Sequence, residues 1–148
     1  MALPVAVPKN FRIIAHRGAS AYAPENTLAA FRLAEEMGAT EVELDVWLSG
    51  DNHIVINHDG GLDRYGYPGL HVTELDLEAL LELDMGSWFS PHLFPGERML
   101  TLEALFAQFR KRFIYHVEIK EPLPGLVRKL LATIDAHGLK NRVIITSK

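Results

Sequence analysis

Short apolar segments alternate with amphipathic helical segments along most of this chain of 148 residues. Between the first two apolar segments, helical periodicity places Leu28, Phe31, Ala34 and Met37 on one stripe. A strand that is followed by a helix and then by another strand usually forms a right-handed crossover between parallel strands. The alternation therefore predicts an α/β fold that is built on a parallel sheet.

Periodicity and turn residues give the bounds of the predicted elements. Strands are predicted at residues 12–15, 41–47, 53–57, 115–120 and 142–146. Helices are predicted at residues 27–37, at 77–83, after Thr101 and at 126–137, and Asn26 is interpreted as the N-cap of the first. Much of the glycine and proline lies in residues 59–97, where we predict a small insertion. No linker divides residues 1–148, so we expect one domain.

Composition limits the partners that such a chain can have. The net charge is -4 and the basic residues are scattered, so we predict no nucleic-acid partner. No apolar run approaches the ~20 residues of a membrane span, and residues 1–10 are too short and too interrupted by proline for a secretory leader. We therefore expect a cytoplasmic protein. Because cysteine is absent, any bound metal must have oxygen or nitrogen ligands.

Polar side chains collect at the carboxyl ends of the predicted strands, which is the edge where parallel α/β proteins build their sites. These side chains are His16, Arg17, Glu43, Asp45, His58, Glu118 and Lys120. Residues two apart in a strand share a face, so Glu43 and Asp45 point one way while Leu44 points to the helices. Several charged groups are thus predicted to face one site.

Inward-facing carboxylates need a nearby positive charge, because an isolated carboxylate is very costly to bury. One divalent cation with oxygen ligands fits best, and the residues do not separate Mg²⁺ from Ca²⁺. The alternative is a simple ion-pair network in which Lys120 or Arg17 neutralises Glu118. His16 and His58 can exchange protons near neutral pH, and Arg17 suits a phosphate oxygen. Together these groups indicate phosphoryl transfer, with the acid and base roles of the two histidines left open.

Four segments of the chain resemble the glycerophosphodiester phosphodiesterase family. They are AHRGASAYAPENTLAAF, VELDVWLS, VINHD and VEIK. The resemblance implies a TIM-type (β/α)₈ barrel that hydrolyses glycerophosphodiesters to sn-glycerol 3-phosphate and an alcohol, with one Mg²⁺ or Ca²⁺ ion. It implies Glu25 as an anchor of the site loop, with direct metal contact as the alternative. The roles that it implies are catalysis for His16 and His58, metal binding for Glu43, Asp45 and Glu118, and phosphate binding for Arg17 and Lys120.

The length of the chain conflicts with a closed barrel of this kind, which needs eight strands and ~250 residues. We predict about five βα units, that is, the N-terminal part of a barrel with open sheet edges. A longer enzyme or a second copy of the chain would then cover those edges. Two alternatives to the glycerophosphodiesterase stay open: a lysophospholipase D with the same chemistry, and a non-catalytic half-barrel that acts as an assembly module.

Two further polar residues receive simpler interpretations. Glu41 has the same strand phase as Glu43 but lies nearer the strand start, where we expect it to contact solvent. We predict that His116 lies at the surface or in a loop.

Overall fold

A computed structural model describes residue 6 and residues 8–147, which form a mixed α/β fold. The strands are β1 (Ile14–His16), β2 (Glu41–Leu48), β3 (Ile54–Ile56), β4 (Leu100–Thr101), β5 (Ile114–Ile119) and β6 (Val143–Ser147). The helices are α1 (Leu28–Glu36), α2 (Leu77–Leu81), α3 (Leu102–Phe109) and α4 (Leu126–Ala136). Single 3₁₀ turns occupy Asp63–Tyr65, Val72–Glu74 and Arg110–Arg112.

Most of the stretch considered as a leader, residues 1–10, lies outside the described residues. Within the described part of the chain, no helix combines the length and the apolar character that crossing a membrane requires.

The six strands form one sheet with the order β4-β3-β2-β5-β6, and β1 also pairs with β2. As predicted, β1, β2, β5 and β6 run parallel to one another. Among the described residues, β4 and β6 end the order without pairing to each other, so the sheet is open.

The prediction that the strand at residues 53–57 is parallel is wrong. β3 pairs antiparallel with the end of β2, with Leu48 opposite Ile54 and Val46 opposite Ile56. The connection after Leu48 is a tight turn in which Ser49 and His53 exchange hydrogen bonds, and a parallel crossover needs a dozen or more residues. β4, which the sequence did not reveal as a strand, pairs antiparallel with β3.

Two apolar clusters lie on either side of this sheet. The helix-facing side chains of the central strands, such as Leu44 and Val117, pack with α1, α3 and α4 around Phe31 and Phe106. A second cluster packs the segment between β3 and β4 against strand residues of the other face, and it contains Trp47, Val55, Leu62, Tyr65, Val72, Leu80, Met85 and Met99. The predicted insertion therefore packs against one face of the sheet, while its division from the rest stays a prediction.

The N-cap of α1 is Thr27, and the prediction that Asn26 caps this helix is wrong. The Thr27 hydroxyl accepts a hydrogen bond from the Ala30 N–H and donates one to the Pro24 carbonyl. Asn26 instead adopts a left-handed conformation with φ 58°, and its side chain turns away from the helix. An asparagine tolerates this conformation better than most residues.

We expect Thr27→Ala to lower the free energy of unfolding by about 0.5–2 kcal/mol, the usual cost of removing a cap hydroxyl. Thr27→Ser keeps the hydroxyl and is the matched control. Urea unfolding of the three proteins measures the difference. Equal losses in the alanine and serine variants would show that the methyl group, and not the cap, carries the effect.

Candidate active site

Three carboxylates meet on the face of the sheet that points away from α1, α3 and α4. Glu43 and Asp45 lie two residues apart on β2, and the strand register puts Glu118 of β5 directly opposite Asp45. One oxygen from each of the three lies within 4.8 Å of the others. Asp45 is fully buried, and the other two are partly buried. The structure thus brings together the three residues that were predicted to bind a metal.

The electrostatics of this cluster fit a hard cation. Burial, followed by the nearby Asp45 carboxylate, raises the pKa of Glu43 to about 7. The buried Oδ1 atom of Asp45 has no hydrogen-bond partner among the described residues. Lys120 Nζ lies 3.5 Å from this atom and 3.3 Å from Glu118 Oε1, so the lysine only partly compensates the acids. An oxygen-ligand cation between the carboxylates would compensate the remaining negative charge.

The turn after β1 explains why this strand ends in His-Arg-Gly. Arg17 and Gly18 both have left-handed backbones, with φ 58° and 80°, which stops the strand at once. At Gly18 a Cβ atom would lie 2.7 Å from the backbone carbon of Ala30, so the turn requires glycine. The Arg17 N–H donates to the Glu43 carbonyl, and it also lies 3.1 Å from Glu43 Oε2. His16 Nε2 lies 3.7 Å from the same carboxylate oxygen.

The side chains of Arg17 and Asn26 both point to the buried Asp45. Asn26 Nδ2 donates to Asp45 Oδ2 at 2.9 Å. Arg17 Nε lies 3.5 Å from Oδ2 and makes no hydrogen bond with the described residues, although it is buried. Arg17 Nη1 donates to both oxygens of Glu25, at 3.0 and 3.1 Å. Arg17 therefore lies in the site, with its Nη1 atom bound to Glu25 and its Nε atom facing Asp45 without a hydrogen bond.

His58 reaches the same region although its strand is antiparallel. β5 pairs along one edge of β2, while β1 and β3 share the other edge. β2 is eight residues long, so β1 pairs with its first part and β3 with its final part. Because β3 runs antiparallel, its last residues approach the end of β1. The Asn57 N–H donates to the Asp45 carbonyl, and His58 follows directly. Both predicted catalytic histidines thus lie along one edge of β2.

Three residues that sequence reasoning did not select take part in this network. Asn26 holds Asp45, as described above. The carboxylate of Asp59 lies 2.7 Å from His58 Nδ1, and Arg64 contacts both Asp59 and Glu25. Asp59 could have been selected from the sequence because it directly follows a predicted catalytic histidine. Arg64 could not, because it lies in an irregular segment without periodicity.

Glu41 and His116 lie largely buried in a hydrogen-bonded group with Arg12, lower on the same face, so the expectations of a solvent contact for Glu41 and a surface or loop position for His116 are wrong. Glu41 is 5% exposed, and its Oε2 atom lies 2.6 Å from Arg12 Nη2 and 2.7 Å from His116 Nε2. The hydrogen bonds from Arg12 are the main reason that the pKa of Glu41 falls to about 2. The register of β2 with β5 forms this group.

We expect Glu41→Gln to lower the free energy of unfolding at pH 7 by about 1.5–3 kcal/mol, as for hydrogen bonds between charged groups. Because the folded pKa lies below the unfolded value near 4.5, this contribution is present above pH 4.5. It is lost as the pH falls toward 2. Denaturant unfolding from pH 7 to 2 measures it, with the exposed Glu82→Gln as control. A difference that stays constant down to pH 2 would contradict the assignment.

The fold and the polar cluster define the class of this protein: it is a mixed α/β protein with its polar site on parallel strands, toward their carboxyl ends. The sequence model of the glycerophosphoryl diester phosphodiesterase family matches residues 16–147. The chain therefore belongs to the glycerophosphoryl diester phosphodiesterase family.

Named relatives agree with this membership. A glycerophosphodiester phosphodiesterase of Caldanaerobacter subterraneus subsp. tengcongensis is 42% identical over 139 residues, which cover 91% of this chain and 57% of the relative. One from Bacillus subtilis is 34% identical over 141 residues, covering 89% of this chain and 48% of the relative. The chain thus spans about half the length of these curated relatives.

Solved structures show the same fold. A glycerophosphodiester phosphodiesterase of Agrobacterium tumefaciens has a TM-score of 0.84 and 34% identity, and the match covers 92% of this chain and 57% of that one. A phosphodiesterase of Oleispira antarctica, in complex with the product sn-glycerol-3-phosphate, has a TM-score of 0.83 and 32% identity. That match covers 93% of this chain and 57% of the Oleispira chain.

Proposed function

We propose that this chain carries the metal-dependent hydrolysis of glycerophosphodiesters to sn-glycerol 3-phosphate and an alcohol. The observation that supports it most is the group of Glu43, Asp45 and Glu118, whose oxygens lie within 4.8 Å of one another beside His16 and Arg17. Family membership and the product named for the Oleispira relative support the substrate class.

In this proposal Glu43, Asp45 and Glu118 hold one divalent cation, Mg²⁺ or Ca²⁺. The raised pKa of Glu43 and the unpartnered Asp45 oxygen both support a cation there. When bound, the ion supplies positive charge against the phosphate oxygens during the reaction. Asn26 would fix the orientation of Asp45 through its other oxygen.

The remaining side chains would bind the phosphate and move protons. Arg17, whose buried Nε makes no hydrogen bond and faces Asp45, and Lys120, beside Asp45 and Glu118, would bind phosphate oxygens and stabilise the developing charge. One of His16 and His58 would take the proton of the attacking hydroxyl or water. The other would give a proton to the oxygen of the leaving alcohol. The contact of His58 Nδ1 with Asp59 leaves its Nε2 for this exchange.

In this proposal the chain forms the N-terminal part of a (β/α)₈ barrel, with residues 59–97 as a small insertion. The open sheet supports it, as do Ile14 and Ile144, which are 41% and 40% exposed on the face that carries the site. A second copy of the chain, or further barrel strands, would cover this face. Light scattering of the purified chain tests the dimer, and a monomer mass would exclude it. A cytoplasmic location stays a prediction from the sequence.

The experiment for the catalytic proposal measures glycerol 3-phosphate released from glycerophosphocholine, with Mg²⁺ or Ca²⁺, by coupling to glycerol-3-phosphate dehydrogenase. We expect turnover that a chelator removes and that added metal restores. The chain with exposed His92 replaced by alanine is the control for histidine substitution. Turnover that survives chelation would contradict the role of the metal.

A non-catalytic assembly module is the second candidate. The observation in its favour is that the chain spans about half the length of its curated relatives. Metal binding without release of glycerol 3-phosphate, together with a dimer in solution, would favour it over the enzyme.

A further inference from the structure

Arg64 connects two acidic residues that come from separate parts of the chain. Its Nη1 atom donates to Glu25 Oε1 at 2.6 Å, and its Nη2 atom donates to Asp59 Oδ2 at 3.2 Å. Glu25 belongs to the loop between β1 and α1, and Asp59 belongs to the segment after β3. One guanidinium group therefore joins two loops that approach β2 independently.

Each of the two acids in turn contacts a residue of the proposed site. Glu25 accepts from Arg17 Nη1 through both oxygens, so its carboxylate lies between two guanidinium groups. Asp59 Oδ1 lies 2.7 Å from His58 Nδ1. The contacts thus form a continuous chain from Arg17 through Glu25, Arg64 and Asp59 to His58, in which guanidinium groups and carboxylates alternate up to the histidine ring.

Aromatic side chains hold the plane of the Arg64 guanidinium. Its central carbon lies 5.4 Å from the centre of the Trp88 ring and 5.8 Å from that of Tyr65. Tyr65 is itself fixed, because its hydroxyl donates to Asn57 Oδ1 and its ring meets Trp88 edge-on. Packing against Trp88 and against Tyr65 of the second apolar cluster therefore orients the two donors of Arg64.

We propose that Arg64 is a positioning residue, and that it fixes the proposed phosphate-binding Arg17 and the proposed proton-transfer residue His58 relative to each other. The carboxylates of Glu25 and Asp59 transmit this effect, so Arg64 itself need not touch the substrate. The consequence for catalysis rests on the proposed function. The bridge that Arg64 forms between Glu25 and Asp59 rests on the contacts alone. Preorganised groups of this kind strongly affect reaction rates.

NMR of the metal-free chain tests the bridge without any turnover. The ¹⁵N signals of the His58 ring report its tautomer, and the Nε–H signal of Arg17 reports the environment of that guanidinium. In Arg64→Met, which keeps an apolar side chain against Trp88, we expect both signals to change. The ring signals should approach those of a histidine without the Asp59 contact at Nδ1. Arg128→Met, on the exposed side of α4, is the control and should change neither.

The conservative variant separates a bridge from a simple charge. A lysine carries one ammonium group and cannot repeat two diverging donors, so Arg64→Lys should restore one NMR signal and leave the other changed. Signals unchanged in Arg64→Met, or both restored by lysine, would overturn the proposal.

The kinetic readout uses the full chain with metal and glycerophosphocholine. We expect Arg64→Met to lower kcat about 10- to 100-fold with little change in KM, since misplaced groups mainly slow the chemical step. A normal kcat in a variant whose NMR signals have changed would overturn the positioning role. If the NMR signals change in Arg64→Met as expected but the wild-type chain shows no turnover, the proposed function fails while the bridge stands.

Discussion

Glu43→Gln should stabilise the metal-free protein above pH 7 and, at the same time, remove its response to Mg²⁺ or Ca²⁺. Glu43 is crowded by Asp45 and Glu118, and burial raises its pKa to about 7. Glutamine removes one negative charge while its carbonyl can still accept from the Arg17 N–H, as Glu43 Oε2 does now. The same change removes one of the three charged groups proposed as ligands, so we expect metal affinity to fall by on the order of 100-fold.

The pH dependence of this effect has a defined sign. Because the folded pKa of Glu43 lies above its unfolded value of 4.5, the folded state binds the extra proton between pH 4.5 and 7. Wild-type stability therefore falls as the pH rises through this interval, by on the order of 1–3 kcal/mol. The variant lacks this loss, so its advantage is absent below pH 4.5 and complete above pH 7.

Thermal unfolding from pH 4 to 8, with chelator and with Mg²⁺ or Ca²⁺, measures both effects. Glu74→Gln, on an exposed turn, is the matched control and should behave as wild type. A large drop in Tm of metal-free Glu43→Gln at pH 8 would contradict this account of the cluster. So would an unchanged rise in Tm when metal is added to the variant.

Replacing either His16 or His58 with alanine should lower kcat about 10²- to 10⁴-fold, which is the usual contribution of a positioned general acid or base. Neither histidine is one of the proposed metal ligands, so both variants should keep the rise in Tm that metal causes. Release of glycerol 3-phosphate measures the rate, and metal titrations followed by Tm measure binding.

His92→Ala is the matched control for both variants, because His92 is exposed in the loop before β4. Wild-type turnover in His16→Ala or His58→Ala would exclude the substituted histidine from proton transfer. Loss of the metal response in either variant would instead place that histidine among the metal ligands.

Local patterns predicted much of the fold and the acidic part of the site. The period of two in β2 puts Glu43 and Asp45 on one face and Leu44 on the other, and the structure shows this arrangement. Parallel pairing with β5 then brings in Glu118. The helix after Thr101 begins as predicted because its hydroxyl accepts from the Ala104 N–H.

The errors arose where tertiary contacts decide the outcome. The tight turn after β2 makes β3 antiparallel, and His58 stays near the site because β2 extends past β1. The sequence separation of 75 residues between Glu41 and His116 hides their contact. Asn26 had a plausible cap position, but its left-handed backbone turns its amide to Asp45.

The most direct measurement is an anomalous difference map from crystals of the chain grown with Mn²⁺, an ion that prefers the same oxygen ligands as Mg²⁺ and Ca²⁺. We predict one strong peak in contact with the carboxylates of Glu43, Asp45 and Glu118, and no such peak in Glu43→Gln. A wild-type map without density there, or with manganese bound only elsewhere, would contradict the central claim.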